Sequence, residues 1–157
     1  MSPLLVAAGF DQQLKTLPPA ARVVRDAEPG RGPLSAIAGA FATIPSDIAG
    51  TFLLAVDMAG FDLGLLASLQ HRLPGYDTVV CHCVGKPQPL AAIYAMSSGA
   101  ALTDCLQAGQ ISVLAWLDRL SVRWVPEDEW QADGFAPTCF ANLNTPADYA
   151  AALEASR

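Results

Sequence analysis

The chain has 157 residues, a formal net charge of −6, 52% hydrophobic residues and a mean hydropathy of +0.32. That length suits one domain with a single core, and the acidity argues against nonspecific nucleic-acid binding and anionic membrane surfaces, both of which need clustered Lys and Arg. No apolar run reaches the ~20 residues that span a bilayer, and the start lacks the basic and apolar regions of a secretory signal, so a cytoplasmic protein with no membrane partner is expected.

The predicted elements begin with an apolar strand at 4–8. A short helix is expected over 11–17, halted by Pro18-Pro19, and a strand over 22–25. An Ala-rich helix over 34–43 is stopped by Pro45. The run 52–56 is strongly apolar and reads as a central strand. An amphipathic helix follows over 62–72, closed by Pro74-Gly75, then strands over 77–84 and 90–95. A helix over 97–107 ends at Gly109. Leu114, Leu117 and Leu120 place another over 112–120. After a strand over 121–125, residues 127–137 read as a surface loop and 139–143 as a last strand. Thr145 as N-cap and Pro146 at the first helical position begin a terminal helix. Alternating strands and helices predict a three-layer α/β fold, Rossmann-like with a mainly parallel sheet, in a single domain over 1–157.

The four cysteines make no disulfide framework. Strand alternation puts Cys81 and Cys83 on one face and His82 on the other, which disfavours a tetrahedral zinc site and favours buried thiols. Trp116, Trp124 and Trp130 read as packing residues. There is no G-x-S-x-G elbow for a covalent mechanism.

Chemistry gathers at two strand ends. Val23–Arg25 runs into Asp26, a Gly/Pro loop and a helix; Thr51–Val56 runs into Asp57. In open α/β sheets ligands bind beyond the carboxyl ends of strands. Gly30 and Gly32 permit close backbone approach, and Pro33 suits a helix's first turn. Two such acids beside a glycine loop suggest a nucleotide and a metal ion. Each residue also has a purely structural alternative. Asp57 could cap a helix starting near Gly60, Asp26 could form an Asx turn, and Lys86 could be a solvated turn lysine. Asn142 and Asn144 share a face if 139–143 is a strand, or else serve capping before Pro146.

The motifs R-D-A-E-P-G-R-G-P-L, F-L-L-A-V-D-M-A, K-P-Q-P-L-A-A-I-Y and F-A-N-L-N-T-P-A-D-Y occur in this order. Together they resemble the molybdenum cofactor guanylyltransferases, of the nucleotidyltransferase fold, over roughly 4–153. The resemblance implies transfer of a guanylyl group from GTP to molybdopterin with release of pyrophosphate. It implies Asp57 as the catalytic, Mg²⁺-binding acid, and Asp26, Gly32, Pro33 and Leu34 beside the nucleotide. Asn142, Asn144, Gln88 and Lys86 fall on the molybdopterin side. Further partners would be molybdoenzyme apoproteins or cofactor-handling proteins. Ala59 stands where the family usually has Pro. The family also opens with L-A-G-G-x-S-x-R-M-G followed by Asp-Lys, and this sequence has no counterpart. The expectation is a fold missing its first strand-helix unit and a chain weakly active or inactive by itself. The alternative is a noncatalytic protein that binds molybdopterin or hands it on.

Overall fold

A computed structural model describes residues 4–8, 12–14, 16–25, 32–58 and 60–155. In chain order the elements are β1 (Leu4–Ala8), β2 (Ala21–Arg25), α1 (Gly32–Thr43), β3 (Gly50–Leu54), α2 (Leu63–Arg72), β4 (Thr78–Cys83), β5 (Lys86–Pro87), β6 (Ala91–Ala95), α3 (Gly99–Gln107), α4 (Val113–Leu117), β7 (Val122–Val125), α5 (Glu127–Ala132) and α6 (Pro146–Ala155), with 3-10 turns at Met96–Ser98 and Pro137–Phe140. They form two compact units: Met1–Ala49 with Met96–Leu120, and Gly50–Ala95 with Ser121–Arg157.

In the first unit β1 and β2 pair in parallel, Leu4 opposite Ala21 through Ala8 opposite Arg25. Helix α1 packs on both strands and on α3. Its Leu34, Ile37, Ala40 and Phe41 are buried, and Phe41 meets the Trp116 ring edge-on, centroids 5.8 Å apart. The fully buried Trp116 donates its indole N–H to the Ser98 carbonyl at 3.2 Å, as a buried indole requires. Helix α3 ends as its glycine foretold. Gly109 sits at φ +72, and the N–H groups of Gly109 and Gln110 donate back to Leu106 and Cys105 at 3.0 and 2.9 Å, the double closure of a Schellman end. The short helix expected over 11–17 does not form: 12–14 and 16–18 carry no helical structure. A segment that short cannot repay its nucleation, and proline disfavours α geometry in the residue before it.

In the second unit β3, β4 and β7 run the same way. β6 pairs antiparallel with β3 and β4, β5 pairs antiparallel with β4, and β7 pairs parallel with β4. The α/β class stands, but the sheet is mixed rather than mainly parallel. The cause is local: β4 turns back through a two-residue hairpin into β5, and that chain continues as β6, so no helical crossover intervenes. β3, expected in the centre, flanks β6 at one side of the described order. One face of β4, β6 and β7 (Val79, Cys81, Cys83, Ala91, Ile93, Val125) packs with Leu65 and Leu69 of α2, Trp130 of α5, Cys139 and Phe140. On the other face Thr78, Val80, Ala92 and Tyr94 are fully buried too. The apolar runs of β4 and β6 follow from that double burial.

Two further expectations fail here. Residues 127–137, read as a loop, contain α5. Three acids in its first turn, Glu127, Asp128 and Glu129, favour a helix N-terminus, and Trp130 anchors it, donating to the His82 carbonyl at 2.9 Å. Residues 139–143, read as a strand, begin inside a 3-10 turn and carry no strand. Adjacent Cys139 and Phe140 are both buried, which strand alternation forbids on a one-sided surface. The terminal helix starts as foreseen. Thr145 Oγ1 accepts from the Asp148 N–H at 3.1 Å, and Asp148 Oδ2 accepts from the Thr145 and Asn144 N–H groups at 2.8 and 3.0 Å, a reciprocal cap.

Candidate active site

Because β3, β4 and β7 are co-directed, their carboxyl ends lie at one end of the second unit's sheet. Asp57 follows β3, the Val84–Gln88 connection follows β4, and Glu127 follows β7. Asp57 is half-buried. Ala55, two residues before it, donates to the Leu90 carbonyl at 2.7 Å, and the Asp57 carbonyl accepts from the Leu143 N–H at 2.7 Å. The Asp57 loop is thus clamped between the approach to β6 and the segment carrying Asn142 and Asn144. Its capping alternative is not realised. Helix α2 is capped by Asp62, whose Oδ1 accepts from the Gly64 N–H at 2.7 Å. Among the described residues the Asp57 carboxylate forms no hydrogen bond or ion pair, so both oxygens are available. The loop also passes the 3-10 turn closely: a Cβ at Gly60 would lie 2.7 Å from the Thr138 carbonyl oxygen.

Gln88 and Lys86 lie at this end. The Gln88 N–H donates to the Cys81 carbonyl at 2.9 Å, and its amide Nε2 donates to the Lys86 carbonyl at 3.3 Å. The Lys86 side chain is exposed. Before them stands a strained turn, Val84 at φ 51 and Gly85 at φ 67. Two successive positive φ values define a type I′ hairpin, usually Asn-Gly, and a β-branched residue there is unfavourable. The Val84 N–H is held by the Glu127 carboxylate. Neither feature was visible in the sequence.

Asn142 and Asn144 are exposed and lie on irregular backbone, so no shared strand face aligns them; the turn over Pro137–Phe140 replaces it. Asn144 joins the start of α6 through its N–H to Asp148. A shallow groove of about 550 Å³ opens there, lined by Leu143, Asn144, Thr145, Pro146, Tyr149 and Ala150.

The remaining candidates belong to the first unit. Asp26 lies outside the described residues. Gly32 opens α1 at φ +72, where a Cβ would press on the Ile111 carbonyl oxygen at 3.3 Å, so both conformation and space require glycine. Pro33 is exposed in the first turn, while Leu34 is fully buried, its side chain serving the core.

Behind the site, Arg72 of α2 donates to Glu129 and Asp133 at 2.8 Å each, and Arg123 of β7 donates to both Glu129 oxygens at 2.7 and 2.8 Å. Bonds from Arg72 first, then Arg123, hold the Glu129 carboxyl below its usual range. The Ser68 hydroxyl, then Arg72, does the same for Asp133. This network fastens α2, β7 and α5 together. The four cysteines are free and buried. Burial pushes the Cys81 thiol up to about 12. His82, half-buried, packs at a tilt against Trp124, ring centroids 4.9 Å apart. Among the described residues no group of three or more His, Cys, Asp or Glu converges on a metal position, and no helix is long and apolar enough to cross a membrane. A single unpartnered carboxylate at a strand end suits Mg²⁺, which keeps waters and takes one or two carboxylates with substrate phosphates.

The family description "MobA-like NTP transferase domain" matches residues 1–123. The chain is similar to the "Probable molybdenum cofactor guanylyltransferase" of Pelotomaculum thermopropionicum, 31% identical over 127 residues, or 81% of this chain and 61% of that protein. It is similar to the Bacillus subtilis (strain 168) protein of the same description, 32% identical over 137 residues, or 85% of this chain and 66% of that one. The chain therefore spans less than two thirds of these relatives. The crystal structure of molybdopterin-guanine dinucleotide biosynthesis protein A from Archaeoglobus fulgidus superposes with a TM-score of 0.70 at 26% identity, covering 87% of this chain and 68% of that one. A protein of Aquifex aeolicus VF5, at 16% identity and a TM-score of 0.64, shares the fold.

Proposed function

The chain belongs to the MobA-like NTP transferase family, and from that premise we propose that it takes part in transferring a guanylyl group from GTP to the phosphate of molybdopterin, giving the guanine dinucleotide form and pyrophosphate. The reaction brings one anion against another, so its barrier is largely electrostatic. The observation that carries the reading is the clamped Asp57 loop, with its carboxylate unpartnered among the described residues and its backbone bonded to Leu143 between the two asparagines. Asp57 would hold Mg²⁺, which when bound shields phosphate charge. Asn142, Asn144, Gln88 and Lys86 would meet the acceptor. Amides offer donors and acceptors without adding charge, and an exposed Lys offers a mobile positive charge for a phosphate.

Asp57→Asn tests this. Calorimetric titration with GTP and CTP in Mg²⁺, and pyrophosphate release with molybdopterin present, are measured on both proteins. The expected result is a preference for GTP in the parent and, in the variant, a Mg²⁺-dependent GTP affinity weaker by about 10-fold or more, with any pyrophosphate release the parent shows lost. Its melting temperature should be unchanged, since only the Asp57 backbone anchors the loop. Equal Mg²⁺-dependent GTP affinity in both proteins, or a preference for CTP, would overturn the reading.

A further inference from the structure

The groove beside the Asp57 loop presents an aromatic ring that the nucleotide chemistry leaves unused. Tyr149 is 59% exposed and lies on the groove wall opposite no charged side chain, since all six lining residues are neutral. The groove is shallow and open to solvent, so it offers a ring one face to lie on rather than an enclosing cleft. Leu143 joins this groove to the candidate active site, lining it while donating its N–H to the Asp57 carbonyl.

The start of α6 would ordinarily attract an anion. Here most of the N–H groups around that start are already bonded, and Pro146 has none to offer. Asn144 and Thr145 give their N–H groups to Asp148, and Asp148 gives its own to Thr145. Bonds from Thr145 hold the Asp148 carboxyl below its usual range, so it is charged at neutral pH and opposes a second anion. The groove therefore suits a flat neutral ring, with the Asn144 amide available to a ring edge carrying donors and acceptors. An acceptor's phosphate would point out of it, toward the Asp57 loop.

We infer that Tyr149 is the stacking platform for the heteroaromatic ring of the acceptor, and hence a specificity-determining residue; this rests on the transferase reading above. Pterins fluoresce, so pterin-6-carboxylate is the probe, titrated against the parent chain, Tyr149→Phe and Tyr149→Ala, with Mg²⁺-GTP calorimetry alongside. The exposed position leaves folding intact, which a melting curve checks. The parent and the Phe variant should bind the pterin within about twofold of each other. The Ala variant should bind at least about fivefold more weakly, the usual cost of a lost aromatic stack, with GTP affinity equal in all three. Pterin binding by the Ala variant at parental strength, with GTP binding intact, would overturn the inference and leave the transferase reading standing. A Phe variant as weak as the Ala variant would assign the role to the hydroxyl and also overturn it. Failure of the parent to bind either pterin or GTP would remove both readings.

Discussion

Replacing Gly60 by alanine adds one methyl group near the site and no charge. That methyl would lie 2.7 Å from the Thr138 carbonyl oxygen, whereas ordinary contacts begin near 3.4 Å. Backbone must retreat by roughly two thirds of an ångström, because a carbonyl in a 3-10 turn cannot rotate aside as a side chain can. Overpacking of this kind costs about 1–3 kcal/mol, and at this chain length each kcal/mol lowers the melting temperature by roughly 2–4 °C. The melting temperature, followed by circular dichroism, should therefore fall by roughly 2–12 °C. The displacement also reaches Asp57, three residues away, whose carbonyl is tied to Leu143. Any pyrophosphate release the parent shows should drop by up to about 100-fold, as misplacements near 1 Å do. Gly39→Ala supplies the opposite sign. Gly39 lies inside α1 and its Cβ would meet only Val24 Cγ1 of β2, at 3.4 Å, so the change should be neutral or stabilising by up to about 1 kcal/mol. A Gly60→Ala protein as stable as Gly39→Ala would refute the close approach of the two loops.

Trp130→Ala should destabilise by about 3–5 kcal/mol, since the ring is fully buried. Trp130→Phe should still cost about 1–3 kcal/mol by orphaning the His82 carbonyl, and urea unfolding measures both. The Glu129 carboxyl is lowered from its ordinary 4.5, so its contribution is complete above that value and is lost as pH falls through the lowered one. The pair is partly exposed, so the effect is about 1 kcal/mol or less, and Glu129→Gln should flatten that stretch of the pH–stability curve. With its thiol pushed to about 12, Cys81 should resist a thiol-specific chromogenic reagent at pH 8 in the native state and react in urea. Rapid native labelling would contradict its burial.

The parts legible in the sequence were those where one residue type has one dominant backbone consequence. Gly109 ending α3, Pro33 in the first turn of α1, and Thr145 before Pro146 at the start of α6 all formed as their chemistry demands. Asp57 lies beyond the end of β3, where a carboxylate directly after an apolar run is expected. The second acid there, Asp62, took the capping role and thereby released Asp57 from it. What stayed hidden depended on contacts remote in sequence. Helix α5 offers a single apolar residue, Trp130, to the core, too little for helical periodicity to register, although Glu127–Glu129 behind Pro126 gave a start signal. The Val84–Gly85 turn escaped notice because valine is a poor occupant of positive φ; Glu127, more than forty residues on, supplies the bond that holds it.

The segment from Cys139 to Leu143 shows the same division from the functional side. Its composition, C-F-A-N-L, reads as a strand, and strand alternation would have aimed Asn142 and Asn144 together. Instead Pro137 starts a 3-10 turn that buries Cys139 and Phe140 side by side against Trp130. The chain leaves that turn free of any strand partner except the one bond from Leu143 to Asp57. That bond does what a ladder would have done, fixing the asparagines beside the acid, but it leaves their side chains exposed and opens the groove that Tyr149 walls. A strand would have closed this space with a paired neighbour. The irregular backbone is therefore what leaves the groove open beside the Leu143–Asp57 bond, and it explains why Tyr149 drew no attention in the sequence: it is one helical turn past a cap, at a position whose meaning depends on the turn before it.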